Sequence, residues 1–488
     1  MVNQASLIFL PAHALAQGIC DRQFSATEVL EAYLRQIKQH NAALNAIVTP
    51  NFEAARQRAQ AADAAIARGE FWGPLHGVPI TIKDNWETAG LRTTVSYPPL
   101  KHYVPQRDAA AVARLKAAGA IVLGKTNMPK LAKDLQTDSP LFGQANNPWD
   151  LDYTCGGSTG GGSAAVAAGL SAMELGTDAA GSIRIPAHFC GLFSLKPTEN
   201  RVSLVGQLPP LPNRPRSLRK QVSAGLIARC IEDLELGLML IEGPDGRDWE
   251  VPPVPQTVPQ VPSLENLRLA WTDRFGDIPV TPETNVMLQK VTQTLSDRGA
   301  QVKKCSPLDF NYGEAWETFG EIAVTELYSK EADWKMYLYR LLSLVPPMFV
   351  PGGPTARGFV SGMRLSFTRT SRAMARRDRF ISQLEAFLGD WDAWICPVCP
   401  QPAFPHAVLG RPMIIESKIL SYLSAGCSYT SIFNLTGNPV VVVPVGFSPA
   451  GLPMGVQIVG RRWCDRELLA IAKQIAKVTG DFTPPPGY

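Results

Sequence analysis

Apolar side chains at Val29, Leu30, Tyr33, Leu34 and Ile37 recur at helical spacing, and Ser25-Ala-Thr-Glu28 just ahead of them has the spacing of a capping box. The pattern predicts an amphipathic helix at the start of the fold. An alanine-rich stretch from about Glu53 to Gly69 predicts a second helix, stopped by glycine. After Pro74 the period changes. Val78, Ile80 and Ile82 alternate with Pro79, Thr81 and Lys83, which predicts a strand with Lys83 at or near its end. A further helix follows Asp108 and stops at Gly119, and Ala120-Ile-Val-Leu123 reads as a buried strand.

The alternation continues with a small-residue helix after Gly162, a strand at 173–177, a helix opening near Ser182 and a strand at 192–195. Strand and helix in turn over so short a span predict parallel-sheet connections and a connected α/β core over 70–245. Prolines at 252, 253, 255, 259 and 262 make 250–263 a stiff extended connection. Strands at 267–271 and 301–304 are predicted around a helix from Pro282 to Arg298. Helical patterns dominate from Trp316 to Leu388, broken at Pro346-Pro347, and 391–397, 440–445 and 456–459 read as strands. The last region, 440–488, is expected to return strands and a helix to the same sheet. There is no internal repeat of fixed period.

Composition narrows the function classes. A chain of 488 residues buries a sizeable core, and 40 Gly with 41 Pro suit a loop-rich globular protein rather than a low-complexity one. The formal net charge of +4 is too small at this length for a nucleic-acid or anionic-membrane footprint. The 9 cysteines, an odd number spread from Cys20 to Cys464, argue against a disulfide framework and for a reducing, cytoplasmic setting. Cys396-Pro-Val-Cys399 has no second pair to complete four ligands, so it reads as two buried or loop cysteines rather than a metal site. Leu7 to Ala16 faintly resembles a secretory signal, but no Lys or Arg precedes it and His13 interrupts it, so export is not expected. No apolar run approaches the roughly 20 residues of a membrane helix.

Two catalytic motifs fail on context. Gly119-Ala-Ile-Val-Leu-Gly-Lys-Thr126 matches the phosphate-loop pattern, but there the strand must precede the first glycine, and here a helix does. Gly156-Gly-Ser-Thr-Gly160 matches the nucleophile elbow, but a polar loop, 146–155, leads into Ser158 where a buried strand is required. Only His188, in an apolar helical stretch, and His406, in a proline-rich loop, follow Ser158 as possible triad partners, and both read as core or loop residues.

The informative feature is a pair of segments: the glycine-dense run Gly156-Gly-Ser-Thr-Gly-Gly-Gly-Ser163, and Gly176-Thr-Asp-Ala-Ala-Gly-Ser-Ile-Arg-Ile-Pro186. Their backbone freedom allows strained turns and close approach to a ligand. The small residues before Ser182 let successive N–H groups converge on one point, as an oxyanion hole requires.

With Gly77-Val-Pro-Ile-Thr-Ile-Lys-Asp84, Leu123-Gly-Lys-Thr-Asn127, Phe142-Gly-Gln-Ala-Asn-Asn-Pro-Trp149 and Lys196-Pro-Thr198, these segments are similar to the defining motifs of the amidase signature family of serine hydrolases. The resemblance covers at least 70–245 and is expected to extend over 1–488. It implies one large α/β/α domain with a mixed, twisted central sheet flanked by helices, in which 264–440 is the divergent, substrate-determining region. It also implies Ser182 as nucleophile, Ser158 as a bridging serine after a cis peptide at Gly157, and Lys83 as base. The N–H groups of Ala179, Ala180, Gly181 and Ser182 would hold the oxyanion, and Asp178 with Arg184 would form an ion pair that braces the turn.

The chemistry is self-consistent. A lysine accepts a proton only when neutral, and lowering its pKa from about 10.4 to about 7 corresponds to about 4.6 kcal/mol, within reach of apolar burial without a carboxylate partner. Asp84 must therefore point away from Lys83, as strand alternation predicts. Two departures from the family pattern stand out. Ala180 puts a methyl where glycine is usual, which predicts a tighter or stiffer oxyanion hole, while Thr159 keeps the hydroxyl of the usual serine. The basic set Arg364, Arg369, Arg372, Arg376, Arg377 and Arg379 lies on a predicted helix and reads as a solvated face.

The resemblance thus implies hydrolysis of a small-molecule carboxylic amide to acid plus ammonia or amine through an acyl-serine. No metal, organic cofactor, nucleic acid or membrane span is expected, and a homodimer is left open. Two alternatives stand beside a free-standing amidase. One is the amidase-like subunit of a tRNA-dependent amidotransferase, for which Tyr-Gly-Arg-Val-Ser is expected where this chain has Glu199-Asn-Arg-Val-Ser203, a difference that favours the free-standing amidase. The other is a degenerate binding scaffold, motivated only by Ala180.

Overall fold

The computed structural model describes residues 7–209, 211–212, 219–254, 259–260, 262–328, 353–364 and 366–488. The strands of the central sheet are β1 (Ile47–Pro50), β2 (Pro79–Lys83), β3 (Ile121–Thr126), β4 (Met173–Asp178), β5 (Phe193–Lys196) and β6 (Ser223–Ala228), followed by β7 (Arg268–Trp271), β8 (Gln301–Lys304), β9 (Ala393–Pro397), β10 (Val440–Phe447) and β11 (Pro453–Val459). Together they form an 11-stranded sheet in the order β1-β3-β2-β4-β6-β5-β10-β11-β9-β7-β8. The sheet is mixed. β2 runs parallel to β3 and β4, and β7 runs parallel to β8 and β9, while the other pairs are antiparallel. Parallel neighbours need a crossover, which the helices between them supply, whereas the short turn joining β10 to β11 enforces an antiparallel pair. The apolar run Val440-Val-Val-Val443 is buried, as its central place in the sheet demands.

Helices surround this sheet: α1 (Ala12–Cys20), α2 (Ala26–Leu44), α3 (Phe52–Ala67), α4 (Ala110–Ala117), α5 (Gly160–Ala167), α6 (Arg184–Cys190) and α7 (Ile231–Ile241) in the first half of the chain. The second half adds α8 (Pro282–Asp297), α9 (Tyr312–Tyr328), α10 (Gly353–Gly362), α11 (Phe367–Leu388), α12 (Tyr422–Thr436) and α13 (Asp465–Thr479). The capping box at Ser25 and Glu28 closes reciprocally on α2.

α2 is not the first helix. α1 precedes it, and its exposed N–H groups at Ala12 and His13 are met by the Asp233 carboxylate from α7, not by a local cap. A cap supplied from far along the chain leaves no sequence signature. The polar segment 146–155 is also not wholly loop, since Asn146–Asn147 pairs with Asp150–Thr154 in a small hairpin. The break at Pro346-Pro347 and part of the proline-rich connection lie outside the described residues.

Helix α5 explains its own composition. All eight of its residues, Gly-Gly-Gly-Ser-Ala-Ala-Val-Ala, are buried, because the helix is pressed against the sheet. A Cβ on Gly162 would lie 2.4 Å from Cδ of Glu174, so a larger residue there would have to displace the Glu174 carboxyl.

Candidate active site

Lys83 ends β2 at the C-terminal edge of its parallel pairing and is fully buried. Its Nζ lies 2.8 Å from Ser158 Oγ, 2.8 Å from Thr159 Oγ1 and 3.3 Å from Thr177 Oγ1. Among the described residues no carboxylate oxygen bonds to it. Asp84 turns away and accepts hydrogen bonds from Thr94 N and Oγ1 and from Ser96 N. Burial lowers the Lys83 pKa to about 7, against the opposing pull of the Glu174 and Asp178 carboxylates. Near neutral pH the amine is therefore available as a free base.

Ser158 follows a cis peptide bond from Gly157 and is fully buried, whereas Ser182 is only half-buried. The Thr159 N–H donates to the Ser182 carbonyl at 3.1 Å, which ties the two serine segments together. Ser182 Oγ meets no hydrogen-bond partner among the described residues. Ser182 is thus the more exposed of the two serines, and Ser158 lies buried against the Lys83 amine.

The turn that carries Ser182 is built around Asp178. Its carboxylate accepts from Gly181 N at 2.8 Å, Ile183 N at 3.1 Å, Arg184 Nε at 3.0 Å and Arg184 Nη2 at 2.8 Å. Burial alone would raise this carboxyl, but the Arg184 charge and hydrogen bonds, helped by Asn434, hold it well below the usual range. Gly181 has φ +114°, and a Cβ there would lie 2.5 Å from Thr430 Oγ1, so glycine is required.

Two expectations change at this turn. The Gly181 N–H is already committed to Asp178, so it is not free to meet a ligand. The N–H groups of Ala179, Ala180 and Ser182 meet no acceptor among the described residues. Ala180 is not among the residues of positive φ, so its methyl imposes no backbone strain, and its carbonyl accepts from Thr430 Oγ1 at 2.6 Å.

Residues that sequence reading did not single out complete the brace. Arg184 Nη1 donates to the Thr430 carbonyl at 3.0 Å and Gln457 Oε1 at 2.7 Å, and Nη2 donates to Asn434 Oδ1 at 2.6 Å. Asn434 Nδ2 also donates to the Asp178 carbonyl at 3.1 Å. Thr430 and Asn434 lie on α12 and Gln457 on β11. Thr430 and Asn434 offered only a row of small polar residues inside an otherwise apolar helix, and Gln457 offered only a polar side chain in an apolar strand.

Other sequence candidates settle as structural. His188 is buried and accepts from Gly455 N at 2.7 Å, and burial lowers its pKa to about 4. Cys396 and Cys399 are buried free thiols. The arginine set is not one solvated face: Arg377 is buried against Glu199, and Arg376 pairs with Glu321. Arg364 precedes α11 rather than lying on it. Among the described residues, His13, Cys230 and Asp233 are the group whose potential metal-ligand atoms all lie within 4.8 Å of one another. They belong to α1 and the start of α7, and Asp233 there caps α1.

A family model described as Amidase matches residues 28–469. This chain belongs to the amidase family. Family members similar over nearly the whole length include a glutamyl-tRNA(Gln) amidotransferase subunit from Symbiobacterium thermophilum, 34% identical over 94% of each chain. The corresponding subunit from Heliobacterium modesticaldum is 32% identical over 96% of each. Among solved structures, a 6-aminohexanoate cyclic dimer hydrolase superposes with a TM-score of 0.79 at 26% identity, over 98% of this chain and 99% of its own. The mixed central sheet with flanking helices is thus the family fold. Among the described residues no helix is long and apolar enough to cross a membrane.

Proposed function

We propose that this protein cleaves a carboxylic amide through an acyl-enzyme on Ser182. The observation that carries this reading is a buried lysine amine, free of any bonded carboxylate, 2.8 Å from a serine hydroxyl. Neutral Lys83 takes the proton of Ser158, Ser158 takes that of Ser182, and Ser182 Oγ attacks the amide carbon. Catalytic hydrogen bonds such as the one between the Ser182 and Ser158 hydroxyls commonly tighten only when substrate binds. The developing oxyanion is met by the N–H groups of Ala179, Ala180 and Ser182. The C–N bond then breaks as Ser158 returns the proton to the departing nitrogen, and water or an acceptor clears the acyl group. No metal or organic cofactor takes part in this scheme. Residues 264–440, which supply α12 against Ala180, shape the acyl pocket.

Ammonia released in this way is either set free or handed on. The full-length similarity to amidotransferase subunits favours the second, and it reverses the preference for a free-standing amidase drawn from residues 199–203. In this reading the chain works in a cytoplasmic setting with a protein partner as well as a small amide substrate such as glutamine. The free-standing reading keeps one observation. Glu199, where the amidotransferase pattern has tyrosine, is buried and paired with Arg377.

Ammonia release separates the two. For the amidotransferase, glutamine turnover is expected to depend on tRNA and a second subunit. Turnover of aliphatic, aryl or peptide amides by the isolated chain decides for the free-standing enzyme. No ammonia from any of these overturns amide cleavage altogether.

The pH dependence follows from the base. Because only neutral Lys83 accepts a proton, kcat/KM is expected to rise with pH through about 7 and to be lost below it. A flat profile between about pH 5 and 8 would exclude Lys83 as the base.

A further inference from the structure

The acyl-transfer scheme leaves unused a second buried ionisable group beside Lys83. Glu174 of β4 stands in register with Thr81 of β2, two residues before Lys83 on the same strand face. Its Oε1 accepts from Thr126 Oγ1 at 2.6 Å, and Thr126 is itself the register partner of Lys83 on β3. Its Oε2 has no hydrogen-bond partner among the described residues. Helix α5 covers both groups: Lys83 Nζ meets Thr159 at the helix start, and the Glu174 carboxyl lies under Gly162. The two are thus about one helical turn apart along α5, and both are fully buried. The other ionisable groups facing them are Asp178 on β4, committed to Arg184, and Lys125 on β3, whose Nζ donates to the Trp86 carbonyl and Thr88. Helix α5 contributes none.

We propose that Glu174 is a positioning residue for the reaction, sharing a proton with Lys83 and setting the pH at which the amine becomes a free base. This rests on Lys83 acting as the base for Ser182. A carboxylate this near favours the ammonium form, while burial disfavours it, and Glu174 decides how far the second effect prevails. Burial also raises Glu174 itself to about 7, against the Thr126 and Thr81 hydroxyls and the two lysines. The two groups therefore titrate as a pair over one pH range. When Glu174 holds the proton, Lys83 is free to accept one from Ser158. Where Glu174 is instead ionised, its charge stabilises the ammonium that forms on Lys83.

The test is the rate at which a fluorophosphonate labels Ser182 of the full chain, followed between about pH 5 and 9, with thermal melting as the control for folding. For Glu174→Gln the labelling rate is expected to rise about one pH unit lower than in wild type, with a reduced plateau. Thr126→Val removes a donor that favours the carboxylate, so it should move the rise in the same direction by less. Glu174→Asp keeps the charge and should stay near wild type. A purely structural role would lower melting temperature or plateau without moving the rise. If the rise stays at the wild-type pH in both Glu174→Gln and Thr126→Val, the inference is overturned, and Thr126→Val decides alone should Glu174→Gln not fold. A wild type that is not labelled at Ser182 overturns instead the nucleophile assignment beneath it.

Discussion

Ser182→Ala is expected to reduce amide cleavage by about ten-thousandfold or more while leaving the melting temperature within a few degrees of wild type. The asymmetry follows from position. Ser182 Oγ is bonded to nothing among the described residues, and its residue is only half-buried, so removing the hydroxyl leaves no buried polar group unpaired. In the proposed reaction this hydroxyl is nevertheless the group that forms the acyl bond. Lys83→Met removes the base at similar volume and should lose a comparable factor. Because nucleophile and base act as one relay, the double variant is expected to be hardly worse than either single one. Single-turnover acylation, read by mass spectrometry of the acyl-enzyme, checks both. Acyl-enzyme formed at the normal rate in Ser182→Ala would move the nucleophile elsewhere.

Arg184→Met is expected to cost about 3–5 kcal/mol of stability, enough to unfold much of the protein at physiological temperature. The guanidinium is fully buried and serves Asp178, Thr430, Gln457 and Asn434, so its loss strands a carboxylate and several acceptors in the core. Asp178→Asn combined with Arg184→Met removes both charges and should recover part of that stability, with a coupling that a double-mutant cycle measures. Activity should not return with it, because the charged hydrogen bonds that hold Gly181 N and Ile183 N are gone. The sign with pH is set by the lowered Asp178 pKa. Its contribution is present above the ordinary carboxylate value of about 4 and is lost as pH falls below it. Denaturant unfolding of the three variants at neutral and acid pH tests this. An additive cycle, with no coupling between the two positions, would show that the pair does not brace the turn.

Much of the site is legible because it is local. Lys83 sits where strand alternation puts it, Gly181 is glycine because of its φ, and Asp178 caps a turn only a few residues long. Alternation along β2 was enough to send Asp84 away from Lys83. The oxyanion donors were legible only in part. Composition showed small residues converging before Ser182, but it did not show that Asp178 takes the Gly181 N–H. Ala180 looked like a defect, yet the backbone at that position is not in the positive-φ region that favours glycine.

By itself the sequence determined the elements and the turn chemistry, because helical and strand periods, caps and glycine-bearing turns depend on neighbours within a few residues. It also singled out the residues proposed to carry the reaction, since they cluster in two short segments and one strand end. Only the tertiary structure decided what sets their charge and holds them still. The Lys83 pKa is lowered to about 7 because α5 and the sheet exclude water from it. The Ser182 turn is rigid because Thr430, Asn434 and Gln457 reach it from α12 and β11. Desolvation and long-range hydrogen bonding are properties of what surrounds a side chain, and for these residues the surroundings come from segments 75 to 273 positions away.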